Sequence, residues 1–151
     1  MTKQAKQNTT FTHESPMQSP GFRFWQLFLK WQRKVDFVLV PFNLTQPSFS
    51  ILAIIGWQAE QNKAAASSKQ VRQKIVVDMS GMQKMQVSLI LQRLKKNGLI
   101  KITPFPLDLR EQQIELTSQG EDILAKTIVL VEQVDKKYLS GNWIRELEKS
   151  E

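Results

Sequence analysis

The stretch GMQKMQVSLILQRLKKNGLI, residues 81–100, places apolar residues on two faces of one predicted helix. Four of them share the i, i+3, i+4, i+7 spacing of a face buried in a hydrophobic core: Val87, Ile90, Leu91 and Leu94. At about 100° per residue, Met85 and Leu89 point the other way, among Gln, Arg and Lys side chains. The helix therefore has one surface for its own domain and a second surface that needs another explanation.

A helix-turn-helix is predicted around this stretch. Residues 73–79 form a short apolar helix, and Ser80-Gly81 supply a tight turn before the second helix. Two helices joined by a short turn containing Gly are typical of a helix-turn-helix. Asn97-Gly98 then end the second helix with residues that tolerate left-handed backbone geometry.

Two alternating segments follow and predict a β-hairpin. Residues 99–103 (LIKIT) and 112–116 (QQIEL) alternate in the manner of strands, and residues 104–111 (PFPLDLRE) between them predict a turn-rich loop. A helix-turn-helix followed by a hairpin is a winged helix. The predicted fold class is therefore mainly α with a small β-hairpin wing.

Apolar helices flank the winged helix on both sides. The first ends at Pro41, and the second begins at the N-cap Thr45 and is apolar over most of its circumference. After the hairpin, Thr117 caps a long helix in which residues 128–131 cover every side of one turn. Such a turn indicates burial between two bodies, so we predict N- and C-terminal dimerisation helices.

These features divide the 151 residues into four segments. The prediction is a disordered polar leader (1–20), N-terminal dimerisation and core helices (21–66), a winged helix-turn-helix region (67–117) and C-terminal dimerisation helices (118–151).

Positive charge concentrates in the winged-helix region. The net charge of the chain is +7, and residues 67–110 alone hold nine basic and two acidic residues. Residues 111–151 hold five basic and nine acidic residues. A localised basic field suits a polyanion, because neutralised phosphates release condensed counterions.

The composition argues against several classes of function. The chain has no Cys, and its one His is His13 in the leader. We therefore expect no enzymatic activity, no metal and no cofactor. No run of about 18 apolar residues is present, and no apolar signal core follows the N-terminus, so we expect a cytoplasmic protein without a membrane partner.

The order of parts over residues 22–147 resembles the MarR-type transcription regulators. Four landmarks carry the resemblance: Leu44-Thr45-Gln46, Leu94 through KKNGLI to Ile100, Pro106-x-Asp108-x-Arg110, and Leu116-Thr117-x-x-Gly120. The chain departs from the family in having Ile102 where an Arg is usual, Leu89 at a commonly basic or polar position, and Val76-Val77 in place of Leu-Ala.

The resemblance implies a homodimer that binds double-stranded DNA. Helices from both ends of two chains interlock around a twofold axis, and each protomer presents one winged helix. By the same resemblance, Arg110 reaches the minor groove or its phosphates from the wing while Asp108 holds the loop. The alternative for this pair is a solvated ion pair within the turn.

The two-faced helix then has an outer face for the major groove. Gln86 can pair bidentately with adenine, and Met85 and Leu89 can pack on thymine methyls. Ten residues form the predicted DNA-binding set: Gln83, Lys84, Met85, Gln86, Ser88, Leu89, Arg93, Lys96, Asp108 and Arg110. The alternative is that Met85 and Leu89 pack under the wing or a neighbouring helix.

The predicted function is a repressor that acts as a homodimer on a palindromic operator and is released by a small aromatic effector. The predicted effector pocket consists of Trp25, Phe28, Trp31, Phe49 and Trp57. The predicted dimer contacts are Ile128, Val131, Val134, Tyr138 and Trp143. Two alternatives are a winged-helix module that binds protein and a peripheral membrane protein that uses the basic, aromatic first helix.

Overall fold

The computed structural model describes residues 10–66, 68–139 and 141. In this part of the chain the elements are α1 (Pro20–Leu39), α2 (Gln46–Ala64), β1 (Val71–Arg72), α3 (Gln73–Ser80), α4 (Lys84–Lys96), β2 (Ile100–Phe105), β3 (Asp108–Leu116) and α5 (Ser118–Tyr138). Short 3-10 turns lie at Pro16–Gln18, within the predicted leader, and at Val40–Phe42. The predicted winged-helix class is confirmed.

The local signals at the helix ends work as expected. The hydroxyl of Thr45 accepts a hydrogen bond from the Ser48 N–H at 3.4 Å, and that of Thr117 accepts one from the Gly120 N–H at 3.0 Å. Gly81 has a φ of 66°, a left-handed conformation that lets the chain turn sharply between α3 and α4.

One hydrophobic core joins the flanking helices to the winged helix. Helix α2 lies at its centre, and the core draws on α1, α4, α5 and the sheet as well. The apolar residues described with no exposed surface are Val35, Leu39, Ile51, Leu52, Ile55, Val71, Val76, Val87 and Ile114. Because α2 is apolar on most sides, it can contact α1, α3, α4 and α5 together.

The wing differs from the predicted hairpin. Strand β1 pairs with β3, Val71 opposite Ile114, so the antiparallel sheet has the order β1-β3-β2. The predicted loop 104–111 is wrong, because Pro104 pairs with Gln112 and Phe105 with Asp108, leaving a turn of two residues. Proline fits here because β2 is an edge strand, where a missing N–H breaks no ladder.

Within a single chain the apolar turn of α5 is only partly covered, so its burial between two bodies stays a prediction. Val131 is 5% exposed, but Val129 is 52% exposed and Ile128 is exposed as well. Val131 and Val134, predicted as dimer contacts, lie in the core of their own chain, and Tyr138 packs partly against it, because α5 docks on α1 and α2. Trp143 lies outside the described residues.

Neither a membrane span nor a metal cluster emerges from the described residues. No single described helix is long and apolar enough to cross a bilayer; α1 with its following turn and α2, bent by 73°, pass such a test only as a pair and only by length and composition. Within the same residues, no three His, Cys, Asp or Glu side chains lie close enough together to hold a metal ion.

Candidate nucleic-acid interface

The outer face of α4 is open to solvent. Met85 is 76% exposed and Leu89 is 65% exposed, so the alternative that they pack under the wing or a neighbouring helix is wrong. The other polar members of the predicted set on this helix and at its N-cap are exposed too: Gln83, Lys84, Gln86, Arg93 and Lys96. Helix α4 contains no acidic residue. Its outer face is therefore apolar and cationic at once.

The inner face of α4 holds the helix in place. Val87, Leu91 and Leu94 are buried, and Ile90 packs partly against the core. The last turn carries Arg93, Lys95 and Lys96, where positive charge interacts favourably with the helix dipole. Support from the core and a stabilised end fix the backbone of α4, and with it the outer face, relative to the domain.

Ser88 has a second role that the sequence did not reveal. The amide of Gln73 donates a hydrogen bond to the Ser88 hydroxyl oxygen at 2.9 Å, and Ser88 is only partly exposed. The bond ties the first residue of α3 to the middle of α4. The hydroxyl keeps its own proton to donate to a ligand, so the predicted contact stays a prediction.

The wing carries a bidentate ion pair. Arg110 Nε lies 3.0 Å from Asp108 Oδ1, Arg110 Nη2 lies 3.2 Å from Asp108 Oδ2, and the Arg110 backbone N–H also donates to Asp108. The side-chain hydrogen bonds from Arg110, and after them the backbone one, lower the pKa of the Asp108 carboxyl. The pair holds the guanidinium of Arg110 at the tip of the wing.

A cleft of about 410 Å³ lies between α3, α4 and the wing. Lys74, Lys84 and Arg110 line it with positive charge, and Val77, Pro104 and Leu109 give it apolar walls. The one acidic residue at its edge, Glu111, pairs with Arg72. The cleft thus presents Lys74 and Lys84, together with Arg110, whose guanidinium is paired with Asp108. Lys74 and Leu109 were missed in the sequence because α3 and the wing meet only in the folded chain.

Strand β1 anchors the wing. Arg72, its second residue, forms a salt bridge with Glu111 of β3 and lies over the ring of Phe105, with 4.5 Å between the guanidinium carbon and the ring centroid. A cation over an aromatic face is attracted by the ring quadrupole. One side chain therefore joins both strands of the hairpin to the start of α3.

The segment that follows α4 is bonded directly to the start of α5. The Thr117 hydroxyl donates to the Gly98 carbonyl oxygen at 2.6 Å, and the Thr117 N–H donates to the Leu99 carbonyl oxygen at 3.0 Å. At Gly120 a Cβ would overlap the Leu99 carbonyl oxygen, so only Gly allows this approach. The start of α5 is therefore held tightly against the segment that follows α4.

The five predicted effector residues are not brought together. Phe28 lies beside Trp31, and the indole of Trp31 donates to Asp135 Oδ1 at 2.8 Å. Phe49 is buried in the core. Of the five, only Trp57 lines the cavity of about 470 Å³ between α2, the end of β3 and α5. Helical spacing alone could not separate core aromatics from those that line a cavity.

Comparisons with known proteins agree with this geometry. The chain is 32% identical over 126 residues to the HTH-type transcriptional regulator YdcH of Bacillus subtilis, covering 83% of this chain and 82% of YdcH. No protein-family model matches the chain.

Solved structures share its fold. A mutant MarR from Escherichia coli, complexed with operator DNA, has a TM-score of 0.67 at 21% identity and covers 85% of this chain and 88% of that one. CouR from Rhodococcus jostii, bound to p-coumaroyl-CoA, has a TM-score of 0.70 at 22% identity and covers 91% of this chain and 94% of that one.

The fold and the cationic helix define a winged helix-turn-helix DNA-binding protein of the transcription-regulator class. Within that class, the chain belongs to the MarR family of transcription regulators. The resemblance noted in the sequence is confirmed.

Proposed function

We propose that this regulator binds duplex DNA in a sequence-specific manner, as a homodimer on a palindromic operator. The observation that carries the proposal is the outer face of α4, which is exposed, free of acidic residues and fixed from below by Val87, Leu91 and Leu94. The major groove admits one α-helix, and an apolar, cationic face matches its thymine methyls and flanking phosphates.

Each side chain on this face has a chemical counterpart in the groove. The amide of Gln86 can pair with N6 and N7 of adenine, while Met85 and Leu89 can contact thymine methyls. Lys84, Arg93 and Lys96 suit phosphates. We propose an A·T-rich half-site on these grounds.

Exposed apolar residues on α1 and α5 support the homodimer. The large ones are Phe24, Trp25, Leu27, Phe28 and Phe37 on α1 and Ile128 and Val129 on α5. Several large exposed apolar side chains on two helices that contact each other favour an interaction surface, and a second copy of the chain is the partner we propose. Two reading helices bind a palindrome when they sit about one duplex turn apart, roughly 34–36 Å.

Repression is the direction of regulation that we propose, because a dimer seated on an operator within a promoter excludes polymerase. The cavity at Trp57 supports release by an organic effector, since it borders α5 beside the contact between α5 and the segment that follows α4. A ligand there shifts the equilibrium only if it binds more tightly to a dimer whose two α4 helices are spaced differently from the DNA-bound dimer. Trp57 fluorescence, compared with that of Trp57→Phe, would report its binding.

A gel shift with salt titration tests DNA binding itself. Lys84, Arg93 and Lys96 of two protomers would make about six phosphate contacts. At about 0.9 per contact, the slope of log K against log salt should be about −5. Selection from a random duplex pool then gives the half-sites and their spacing. A response that is flat with salt would contradict DNA binding and favour the alternative of a protein partner.

A further inference from the structure

The tip of the wing is apolar. Leu107 is 88% exposed and Leu109 is 76% exposed, and Pro106 lies next to them in the turn. Single exposed leucines are ordinary on protein surfaces, but neighbouring ones at a projecting tip form a patch. Because this patch lies within the proposed DNA interface, we expect it to contact DNA.

Contacts at the turn and at the base of the hairpin restrict this tip. Asp108 and Arg110 form their bidentate pair directly beside the two leucines, and Arg72 fixes the base of the hairpin through Glu111 and Phe105. Proline at 104 and 106 removes backbone freedom on the approach to the turn. A rigid apolar tip loses little conformational entropy when it is inserted into a binding site.

The tip also lies at a definite place relative to α4. Leu109 and Arg110 line the same cleft as Lys84 at the start of α4 and Lys74 of α3. When a sugar-phosphate strand runs through this cationic cleft, α4 lies in the major groove on one side. The wing tip then meets the adjoining minor groove on the other side.

We propose that Leu107 is an apolar wedge that enters the minor groove and opens a base step there. The proposal rests on the DNA binding proposed above. Leu is among the side chains that minor-groove proteins insert between base steps to kink a duplex. Leu109 packs against the strand in the cleft, and Arg110 contacts the adjacent phosphates.

The wedge predicts a preference that α4 does not supply. Pyrimidine–purine steps unstack most easily, and TA is the one without a guanine, so a TA step should lie about half a duplex turn, roughly 5 base pairs, from the base read by Gln86. The exocyclic amino group of guanine projects into the minor groove, so a G·C pair at this step should obstruct the wedge.

The test compares Leu107→Ser with Leu107→Met, which keeps an apolar tip, on the duplex that the wild-type protein selects from a random pool. Gel shifts give affinity and salt slope, and fluorophores on the two duplex ends report bending. We expect Leu107→Ser to lose about tenfold in affinity, as for one mismatched base pair, together with the bend. The salt slope should not change, and Leu107→Met should behave as wild type.

Modified bases test the groove directly. Replacing A·T at the deformable step by inosine·cytosine changes the major groove but leaves the minor groove without the amino group, so binding should persist. Replacing it by G·C should weaken wild-type binding and leave Leu107→Ser unaffected. Equal loss with both replacements overturns the wedge and assigns that step to major-groove reading.

Other outcomes distinguish failure of the wedge from failure of the proposed DNA binding. If Leu107→Ser binds and bends the duplex as wild type does, the wedge is wrong while DNA binding stands. If Leu107→Ser changes the sedimentation of the free protein, the tip is a contact between copies and the wedge is again wrong. If the wild-type protein binds no duplex, the proposed function fails and the wedge fails with it.

Discussion

Helices α4 and α5 both expose large apolar side chains, but the charges of the neighbouring residues differ between the two helices. On α4, Met85 and Leu89 stand among cations without an acidic residue. On α5, Val129 stands near the exposed ion pair of Lys126 with Asp122, whose Nζ and Oδ2 atoms lie 2.9 Å apart. Apolar exposure indicates that something covers the surface, and the surrounding charge indicates what kind of partner does so.

The largest effect should follow from placing a charge inside α5. Val131→Glu puts a carboxylate without a partner into the core, and we expect the free energy of unfolding to fall by about 3–5 kcal/mol. Urea denaturation measures this loss. A variant as stable as wild type would show that Val131 is not packed in the core of its own chain.

The matched control is Val129→Glu, which lies two residues before Val131 on the opposite, exposed side of the same helix. Because Val129 is 52% exposed, the variant should stay folded. If a second copy covers this surface, it should sediment as a monomer and bind the operator weakly. A stable dimer with normal affinity would remove Val129 from the proposed interface.

The next effect tests the joint between the two helices. Gly120→Ala places a methyl group against the Leu99 carbonyl oxygen, and because this neighbour is backbone it cannot move aside cheaply. We expect a loss of about 3 kcal/mol, the upper end of overpacking costs. Gly21→Ala in α1 is the control, since nothing lies within 4 Å of its Cβ. Equal melting temperatures for both variants would contradict a tight joint.

The sequence predicted α4 better than α5 for a physical reason. The periodicity of Val87, Leu91 and Leu94 defines one buried face whatever the helix docks against. In residues 128–131 of α5 every side is apolar, so burial depends on where α1 and α2 lie, and that is a property of the folded chain.

Short and irregular elements escaped prediction for a different reason. Strand β1 has two residues, too few to show alternation, and it forms only because β3 offers it a partner. The prolines at 104 and 106 favoured the prediction of a loop, because only the sheet order shows that β2 is an edge strand, which tolerates proline. The cleft residue Lys74 and the position of Trp57 beside a cavity likewise depend on long-range packing.

Within the outer face of α4, base reading and phosphate binding should separate. Gln86→Ala should cost about 1–3 kcal/mol at one base position of each half-site, because the lost amide pairs with one base. Lys96→Ala should weaken binding to all sequences alike and reduce the salt slope by about one unit per contact. Competition gel shifts with single-base operator variants distinguish the two. An unchanged sequence preference for Gln86→Ala would remove this residue from the reading set.

The smallest effect concerns the exposed ion pair on the wing. Hydrogen bonds from Arg110 lower the pKa of Asp108 below its ordinary 3.8 in the folded chain. A depressed pKa means that the stabilisation is fully present above the ordinary value and is lost as the pH falls through the lower folded value. The stability of the protein should therefore not respond to this pair near neutral pH, and its response in acid should be slight because solvent screens the pair.

The titration can be followed at the carboxyl carbon of Asp108 by nuclear magnetic resonance. In Arg110→Ala the pKa should rise toward its ordinary value, since both side-chain hydrogen bonds are lost while the backbone one can remain. Arg110→Lys should give an intermediate value, because an ammonium group keeps the charge without the planar two-nitrogen contact. If Asp108 in the wild-type protein titrated at its ordinary value, the ion pair would not persist in solution. The wing tip would then lack the rigidity on which insertion of Leu107 depends.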